Sequence, residues 1–328
     1  MRLYCYKYTW EKAKGMTDMR KHLLEKLLIF AACFLFFFTA AAQAETAIEN
    51  TPPDEWPAVE LVQFPSGIDY TAPENGKDNF SPNPNGFGAD VMSYHDNSLD
   101  IQVHKIRAYD TTITVAFIQI ADPDQFRTEL AKPYPSKTTV HLEKMSERVH
   151  AVFATNADWF TYTNEGIVHR NGELLRSRAK KEKDGLVIDM NGDLHIIRPM
   201  TMDQYEALTV PIMHSFAFGP ALVMDGEVLE IDRVVTYRER LGIGQIGPLC
   251  YVMAAADGAD DEGSVGLTVP QLAQVMHDLG AHTAYNLDGG KSTCMLLNQV
   301  KLNGDFPESR RTVGDMIYFT TAIPDTNE

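Results

Sequence analysis

The chain has 328 residues, 44% hydrophobic and 23% charged. That is enough apolar content for one large domain or two small ones, and too much for a chain disordered throughout. A formal net charge of −16 excludes nucleic acid and an anionic membrane surface as main partners, because both select a basic face. An anionic ligand would approach against this field, so its site must gather cations locally.

Residues 1–44 read as a targeting segment. Arg20, Lys21 and Lys26 precede an uncharged apolar run, and Ala42-Gln43-Ala44 has the small-x-small form of a signal-peptidase site, which places cleavage before Glu45. Residues ahead of Arg20, with Met16 and Met19 as alternative starts, read as an upstream extension. The uncharged run of about 18 residues also reaches the lower limit for a membrane span. An uncleaved signal segment is therefore the one expected route to a membrane, and export to the periplasm or the medium is the expected destination.

Residues 45–98 are rich in Pro, Asn, Asp and Gly and read as an irregular arm, since proline fixes φ and removes a donor. Trp56, Phe64, Tyr70, Phe80 and Phe87 are too many aromatics for a solvated linker, so the arm is expected to wrap the domain. Residues 99–323 are expected to form the domain itself and 324–328 a tail. Strands are predicted over 101–108 and 112–120, joined at Tyr109-Asp110-Thr111 as a hairpin. A short helix is predicted over 122–131, with Pro123 in its first turn, and another over 139–148. Further strands follow at 150–156, 166–170, 185–190, 193–198, 214–224 and 249–256. A clear helix starts at Thr268, with Pro270 in its first turn. Leu272, Val275, Met276 and Leu279 form one face, and Gly280 ends it. Strands at 283–287, 294–297 and 313–322 close the chain. Few helices among many strands, without regular alternation, predict an α+β fold: a strand-dominated mixed-sheet core with a few helices in a single catalytic domain.

Beyond the targeting segment only Cys250 and Cys294 remain, and they allow either one disulfide or two buried thiols. No Cys-x-x-Cys, His-Glu-x-x-His or Asp-x-Asp-x-Asp-Gly pattern is present, so neither a metal ligand nor a cofactor is expected, with a divalent cation left open. The densest chemistry lies at Asn286-Leu287-Asp288-Gly289-Gly290-Lys291-Ser292-Thr293, where a strand runs into an acid, two glycines, a cation and two hydroxyls. Glycine pairs permit positive φ and close approach. A carboxylate beside backbone N–H groups and a lysine suits a hydroxyl-rich, anionic ligand. Asp-Gly is also a common hairpin turn, although a plain hairpin does not need the polar residues around it.

This stretch resembles the signature of the phosphodiester glycosidase family, with Lys291 standing where a third glycine is usual. Four other stretches resemble the same family in the same order, over roughly residues 100–320, the first being the hairpin Ile101 to Ile120 with the short helix after it. Asn156-Ala157-Asp158-Trp159-Phe160 resembles its Asn-Gly-Asp-aromatic-Phe segment, with Ala157 replacing glycine, and Gly219-Pro220-Ala221-Leu222-Val223 its Gly-Pro-x-Leu-Val stretch. Arg238-Glu239-Arg240-Leu241-Gly242 is similar to Arg-Thr-x-x-Gly, with Glu239 for threonine, and Asp257-Gly258 and Arg311-Thr312-Val313 match two further elements. The resemblance implies a carbohydrate phosphodiester substrate cleaved at the sugar C1–O bond. Phosphate is a good leaving group, so one indispensable carboxylate and several cations would suffice. Asp288 is then the nucleophile or base, with Asp158 as its partner or a sugar-hydroxyl acceptor. Arg238, Lys291 and Arg311 would hold phosphate, and Asn156 and Ser292 would orient the sugar. Arg170, a fixed cation, and Asn286, Gly289 and Gly290 of the loop complete the expected substrate contacts. The basic run from Arg176 to Lys183 reads as a solvated loop or as a site rim that attracts a polyanionic glycan. Two competing functions carry their own signatures: a non-catalytic glycan-binding envelope protein would bind without releasing product, and a phosphodiesterase would release sugar 1-phosphate.

Overall fold

Strands Thr111–Ile120 and Cys250–Ala256 bury both of their faces, and this decides the layering. A computed structural model of the protein describes residues 56–70, 79–180, 182–231, 236–259 and 263–324, all within the unit Thr51–Glu328. Side chains alternate across a strand. Ala116, Ile118 and Ile120 therefore join one apolar cluster while Ile113, Val115 and Phe117 join another, and Tyr251, Met253 and Ala255 part from Val252, Ala254 and Ala256 in the same way.

Both strands lie inside an eight-stranded sheet. Its order is Ser93–His95, Leu99–Ala108, Thr111–Ile120, Cys250–Ala256, Arg240–Gly247, Thr283–Leu287, Ala221–Met224 and Glu227–Val228. One face packs on the helix Val269–Asp278, which inserts Leu272, Val275 and Met276. Gly242 and Gly244 allow that approach, since a Cβ at the first would stand 2.9 Å from Met276 Sδ and at the second 3.0 Å from Met276 Cε. The other face meets two five-stranded sheets. The first runs Val300–Lys301, Met295–Leu297, Phe153–Asn156, Asp315–Phe319, Phe126–Leu130, and the second Glu173–Arg176, Val168–Arg170, Ile212–Phe216, Gly185–Asp189, Leu194–Ile197. Phe153, Phe319, Phe126, Leu186 and Phe216 from these sheets share one cluster with Ile118, Tyr251 and Leu241 of the large sheet. The short helices Leu142–Arg148 and Met202–Glu206 cover the outer faces. The strand-dominated α+β fold expected from the sequence is thus the observed one, and its strand pairings among the described residues are antiparallel.

Several elements differ from expectation. The predicted helix at 122–131 is one 3-10 turn, Pro123–Gln125, followed by the strand Phe126–Leu130, which pairs with Asp315–Phe319. The helix predicted at 139–148 is shorter, Leu142–Arg148, and the predicted strand at 214–224 is two strands parted by Phe218-Gly219-Pro220. The predicted arm contains a 3-10 turn, Pro84–Gly86, and the strand Ser93–His95. Elsewhere in the arm, Trp56 and Val59 pack on the helix-side cluster, and the Gln119 side chain bonds the Val62 backbone at both N–H (2.9 Å) and carbonyl (2.7 Å). Cys250 and Cys294 are both free and buried, and burial pushes their thiols up to about 11 and about 12. The targeting segment lies outside the described residues, as do Lys181 of the basic loop and residues 325–328 of the tail. Among the described residues no helix is long and apolar enough to cross a membrane.

Candidate active site

Antiparallel register brings strand ends from all three sheets to one place. Leu241 pairs with Leu287, so the start of Arg240–Gly247 stands beside the end of Thr283–Leu287. Met316 pairs with Asn156, so Asp315 stands beside the end of Phe153–Asn156. Ser215 pairs with His169 in the third sheet, next to Arg170.

Asp288 leaves its strand end into a loop held on every side. Its N–H donates to the Ala157 carbonyl (3.0 Å), and its own carbonyl accepts from Asn156 Nδ2 (2.7 Å). Gly290, at φ 60°, donates its N–H to the Glu239 carbonyl (2.9 Å), a conformation that glycine adopts without strain. The turn Gly290–Ser292 then returns the Ser292 hydroxyl to the Asp288 carboxyl. Asp288 is 5% exposed. Burial, helped by Asp158 and Asp315, raises it to about 7, while Ser292 and Arg311 act to lower it. Asp288 is therefore poised to exchange a proton near neutral pH.

Behind it lies a second buried layer. Arg170 donates Nε (3.1 Å) and Nη2 (2.7 Å) to Asp315 Oδ2, donates Nη1 to the His169 and Ser215 carbonyls, and packs its guanidinium 4.4 Å from the Phe216 ring centre. Asp315 accepts the Asp158 N–H at 3.1 Å, and burial beside Asp158 raises its own carboxyl. Asp158 accepts the N–H groups of Trp159 (2.6 Å) and Ala217 (2.9 Å) and stands 3.8 Å from Arg170.

Asp158 also lines a cleft of about 400 Å³ that Trp159, Phe218, Arg240 and Asn286 share. Trp159 and Phe218 stack at 6.4 Å with 16° between planes, and the Arg311 guanidinium lies 5.6 Å from the Trp159 ring. Asn286 is 2% exposed, and its Nδ2 donates to the Gly219 carbonyl at 2.7 Å, which fixes the amide's orientation and leaves Oδ1 buried without a partner. Arg240 is 7% exposed, its Nε bonded to the Leu267 carbonyl (3.0 Å) and its Nη2 to the Thr236 carbonyl (2.6 Å). Burial lowers its ordinarily high pKa, and Nη1 makes no hydrogen bond among the described residues. Arg176, Lys180 and Lys183 of the basic loop also border the cleft. Arg176 is consumed by the carbonyls of Phe160, Thr163, Glu165 and Gly166.

The sequence-predicted residues therefore separate into layers. Asp158 and Asn286 line the cleft, while Asp288, whose carboxyl feels Asp158 and Arg311, and Arg311, over the Trp159 ring, stand beside it without lining it. Asn156 does not face a ligand: it is 1% exposed, and its Oδ1 accepts the Cys294 N–H while Nδ2 holds the Asp288 loop. Ser292 is spent on Asp288, and Arg170 on Asp315. Arg238 is exposed and outside the cleft, joined to Leu267 through its backbone. Lys291 is exposed and bonds to no side chain among the described residues. Gly289 and Gly290 shape the loop, and a Cβ at Gly289 would stand 2.8 Å from the Glu239 carbonyl oxygen. Arg240, two residues after Arg238, is the cation that the sequence reading missed. Its signal is a charge inside a run that continues as Leu241, Gly242, Ile243, all buried. Among the described residues no group of three or more His, Cys, Asp or Glu could hold a metal ion.

Three antiparallel sheets thus set a buried carboxyl, raised to about 7, beside a cleft bordered by aromatics and cations. The family described as phosphodiester glycosidase matches residues 149–320, more than half of the chain, and the chain belongs to that family. Its fold is similar to the zebrafish N-acetylglucosamine-1-phosphodiester alpha-N-acetylglucosaminidase catalytic domain, auto-inhibited by its pro-peptide, with 17% identity and a TM-score of 0.55 over 69% of this chain and 85% of that one. It is also similar to a hypothetical protein from Synechocystis, with 14% identity and a TM-score of 0.46 over 68% and 62% of the two chains. No curated protein matches the chain.

Proposed function

We propose that the chain is an exported hydrolase that cleaves the sugar C1–O bond of a sugar-1-phosphodiester, releasing free sugar and a phosphomonoester. The observation that carries this reading is the pairing, in one cleft, of an acceptor and a buried cation that have no partner among the described residues: Asn286 Oδ1 and Arg240 Nη1. A buried acceptor without a partner costs about 1–3 kcal/mol unless a ligand supplies a donor, and a sugar hydroxyl or acylamino N–H would do so. Arg240, with Lys180 and Lys183 at the rim, would take the phosphate, for which a planar guanidinium is suited. The stacked Trp159 and Phe218 offer an apolar wall to a pyranose face. Asp288 in its ionised form attacks C1 or deprotonates the attacking water. The C1–O bond electrons leave with the phosphate, and water supplies the sugar's new hydroxyl. Asn156, Ser292, Asp315 and Arg170 position these groups and do not touch substrate. Family membership supports the glycosidase class, and the similar zebrafish fold makes its named linkage the first to try.

The test is product analysis of residues 45–328 with N-acetylglucosamine-1-phospho-methyl-mannoside, with and without EDTA and alongside Asp288→Asn. Free N-acetylglucosamine plus a phosphomonoester, unaffected by EDTA and lost in the variant, is the expected result. Sugar 1-phosphate as product would place cleavage on the other side of phosphorus and overturn the reading. Binding by the folded protein without product would leave a glycan-binding protein.

A further inference from the structure

Residues 309–313 lie along residues 139–143 and are bonded to them by side chains as well as backbone. The Ser309 N–H and hydroxyl donate to the two oxygens of the Glu143 carboxylate, at 2.5 and 2.6 Å. A hydroxyl that donates to an acid still accepts, and His141 Nδ1 stands 2.9 Å from it. The Thr139 and Thr312 hydroxyls bond at 2.7 Å, and Val140 and Val313 exchange both backbone bonds at 3.0 and 2.9 Å. Arg311 stands between these anchors. Its guanidinium lies 5.6 Å from the Trp159 ring centre and 5.9 Å from that of Tyr162, and it makes no hydrogen bond or ion pair among the described residues. Arg310, one residue earlier, is taken by Glu239 at 2.7 Å and by the Phe306 ring at 4.7 Å. An exposed arginine on a free loop spreads its charge over many rotamers. Here the backbone is fixed on both sides and the side chain rests on two rings.

We propose that Ser309 and Glu143 are positioning residues of the reaction: with the Thr139–Thr312 pair they form a latch that keeps the Arg311 charge over Trp159, within reach of the Asp288 carboxyl. The inference rests on the hydrolase reading above for the role of Asp288. The groups that act on that carboxyl are Asp158, Asp315, the Ser292 hydroxyl of its own turn and Arg311, so Arg311 is the cation set against two acids. The other cations nearby are committed elsewhere. Arg170 is closed on Asp315, Arg310 on Glu239 and Arg240 on backbone carbonyls, and Lys291 is exposed. A cation beside a carboxyl favours its ionised form, the form that attacks C1 or water. Loss or drift of Arg311 therefore leaves Asp288 protonated to a higher pH. Ser309 matters because Glu143 holds both of its polar groups, so the chain cannot turn about that residue and carry Arg311 away.

The experiment titrates Asp288 in two ways. One is the pH dependence of kcat/KM for N-acetylglucosamine-1-phospho-methyl-mannoside. The other is NMR of aspartate labelled at the carboxyl carbon, with the Asp288 signal assigned through Asp288→Asn. Arg311→Gln is expected to move both titrations to higher pH by about half a unit, the scale of one partly screened charge, and so to lower kcat/KM about threefold on the acid side. Ser309→Ala, and separately the pair Thr139→Val with Thr312→Val, should move them the same way by less. In the Arg311→Gln background neither should add anything, because a latch without its cation has nothing to place. An unmoved titration in folded Ser309→Ala and in the folded threonine pair overturns the latch, and so does a shift that persists in full once Arg311 is gone. If the sugar phosphodiester is not turned over, the hydrolase reading falls and the NMR titration alone decides: the latch stands on the non-additive shift and falls without it.

Discussion

At Asp288 a single carboxyl is held near pH 7 against an ordinary value of 3.8. A raised carboxyl stabilises the fold only while protonated. Its contribution is full below about 3.8, declines as pH rises through about 7, and is gone above that. Each pKa unit is worth about 1.4 kcal/mol, so the wild-type fold forfeits up to a few kcal/mol between pH 4 and 8. Asp288→Asn should therefore be more stable than wild type in urea unfolding at pH 8 and nearly equal to it at pH 4.5. A difference independent of pH would mean that burial does not shift this group. The same value predicts that kcat/KM rises with pH through about 7, because the free enzyme must present an ionised Asp288. A falling limb there would instead make Asp288 the proton donor. The cations give a second contrast. Arg240→Gln should raise KM for a sugar phosphodiester at least tenfold, since a charge-assisted hydrogen bond is worth about 1.5–3 kcal/mol. Arg238→Ala, at an exposed position outside the cleft, should stay within about twofold.

Among the elements, the helix Val269–Asp278 was legible because local and tertiary signals agree. Thr268 Oγ1 accepts the Gln271 N–H (3.3 Å), Gln271 Oε1 returns to the Thr268 N–H (2.9 Å), and the apolar face follows a helical period. Val269 borders the first cleft, so the cap also fixes part of its wall. Thr268→Ala should cost about 1 kcal/mol in thermal or urea unfolding, and Thr268→Ser should restore most of it. The residues after Asp122 misled for a matching reason. Asp122 and Gln125 do form a capping box, but the turn lasts three residues before Phe126–Leu130 is claimed by the edge of Asp315–Phe319. Capping chemistry is local, whereas strand pairing across the chain is not. Strand Arg240–Gly247 was hidden by Gly242, Gly244 and Gly247, residues that weaken a strand signal but that the helix packing requires at Gly244. The site divides along the same line. The Asp288 loop and Asp158 are visible as contiguous motifs. The pairing of Arg170 with Asp315, 145 residues apart, and the use of Asn156 as a clamp on the Asp288 carbonyl arise only when the three sheets meet.

Over the whole molecule, a net charge of −16 opposes any anionic substrate, while Arg240, Lys180 and Lys183 attract it only close to the cleft. The two effects have different ranges, and salt separates them. The Debye length is roughly 30 Å at 0.01 M and 10 Å at 0.1 M, so moderate salt removes repulsion from distant carboxylates while leaving a partly buried contact such as that of Arg240 largely intact. KM for a sugar phosphodiester should therefore fall as NaCl rises from 0.01 to 0.1 M and climb again toward 1 M, where the screening length of about 3 Å reaches the rim lysines. Initial rates across that salt range test this. A KM that climbs from the lowest salt would mean that the cleft cations outweigh the global field even at long range, and the acidic surface would then play no part in setting the on-rate.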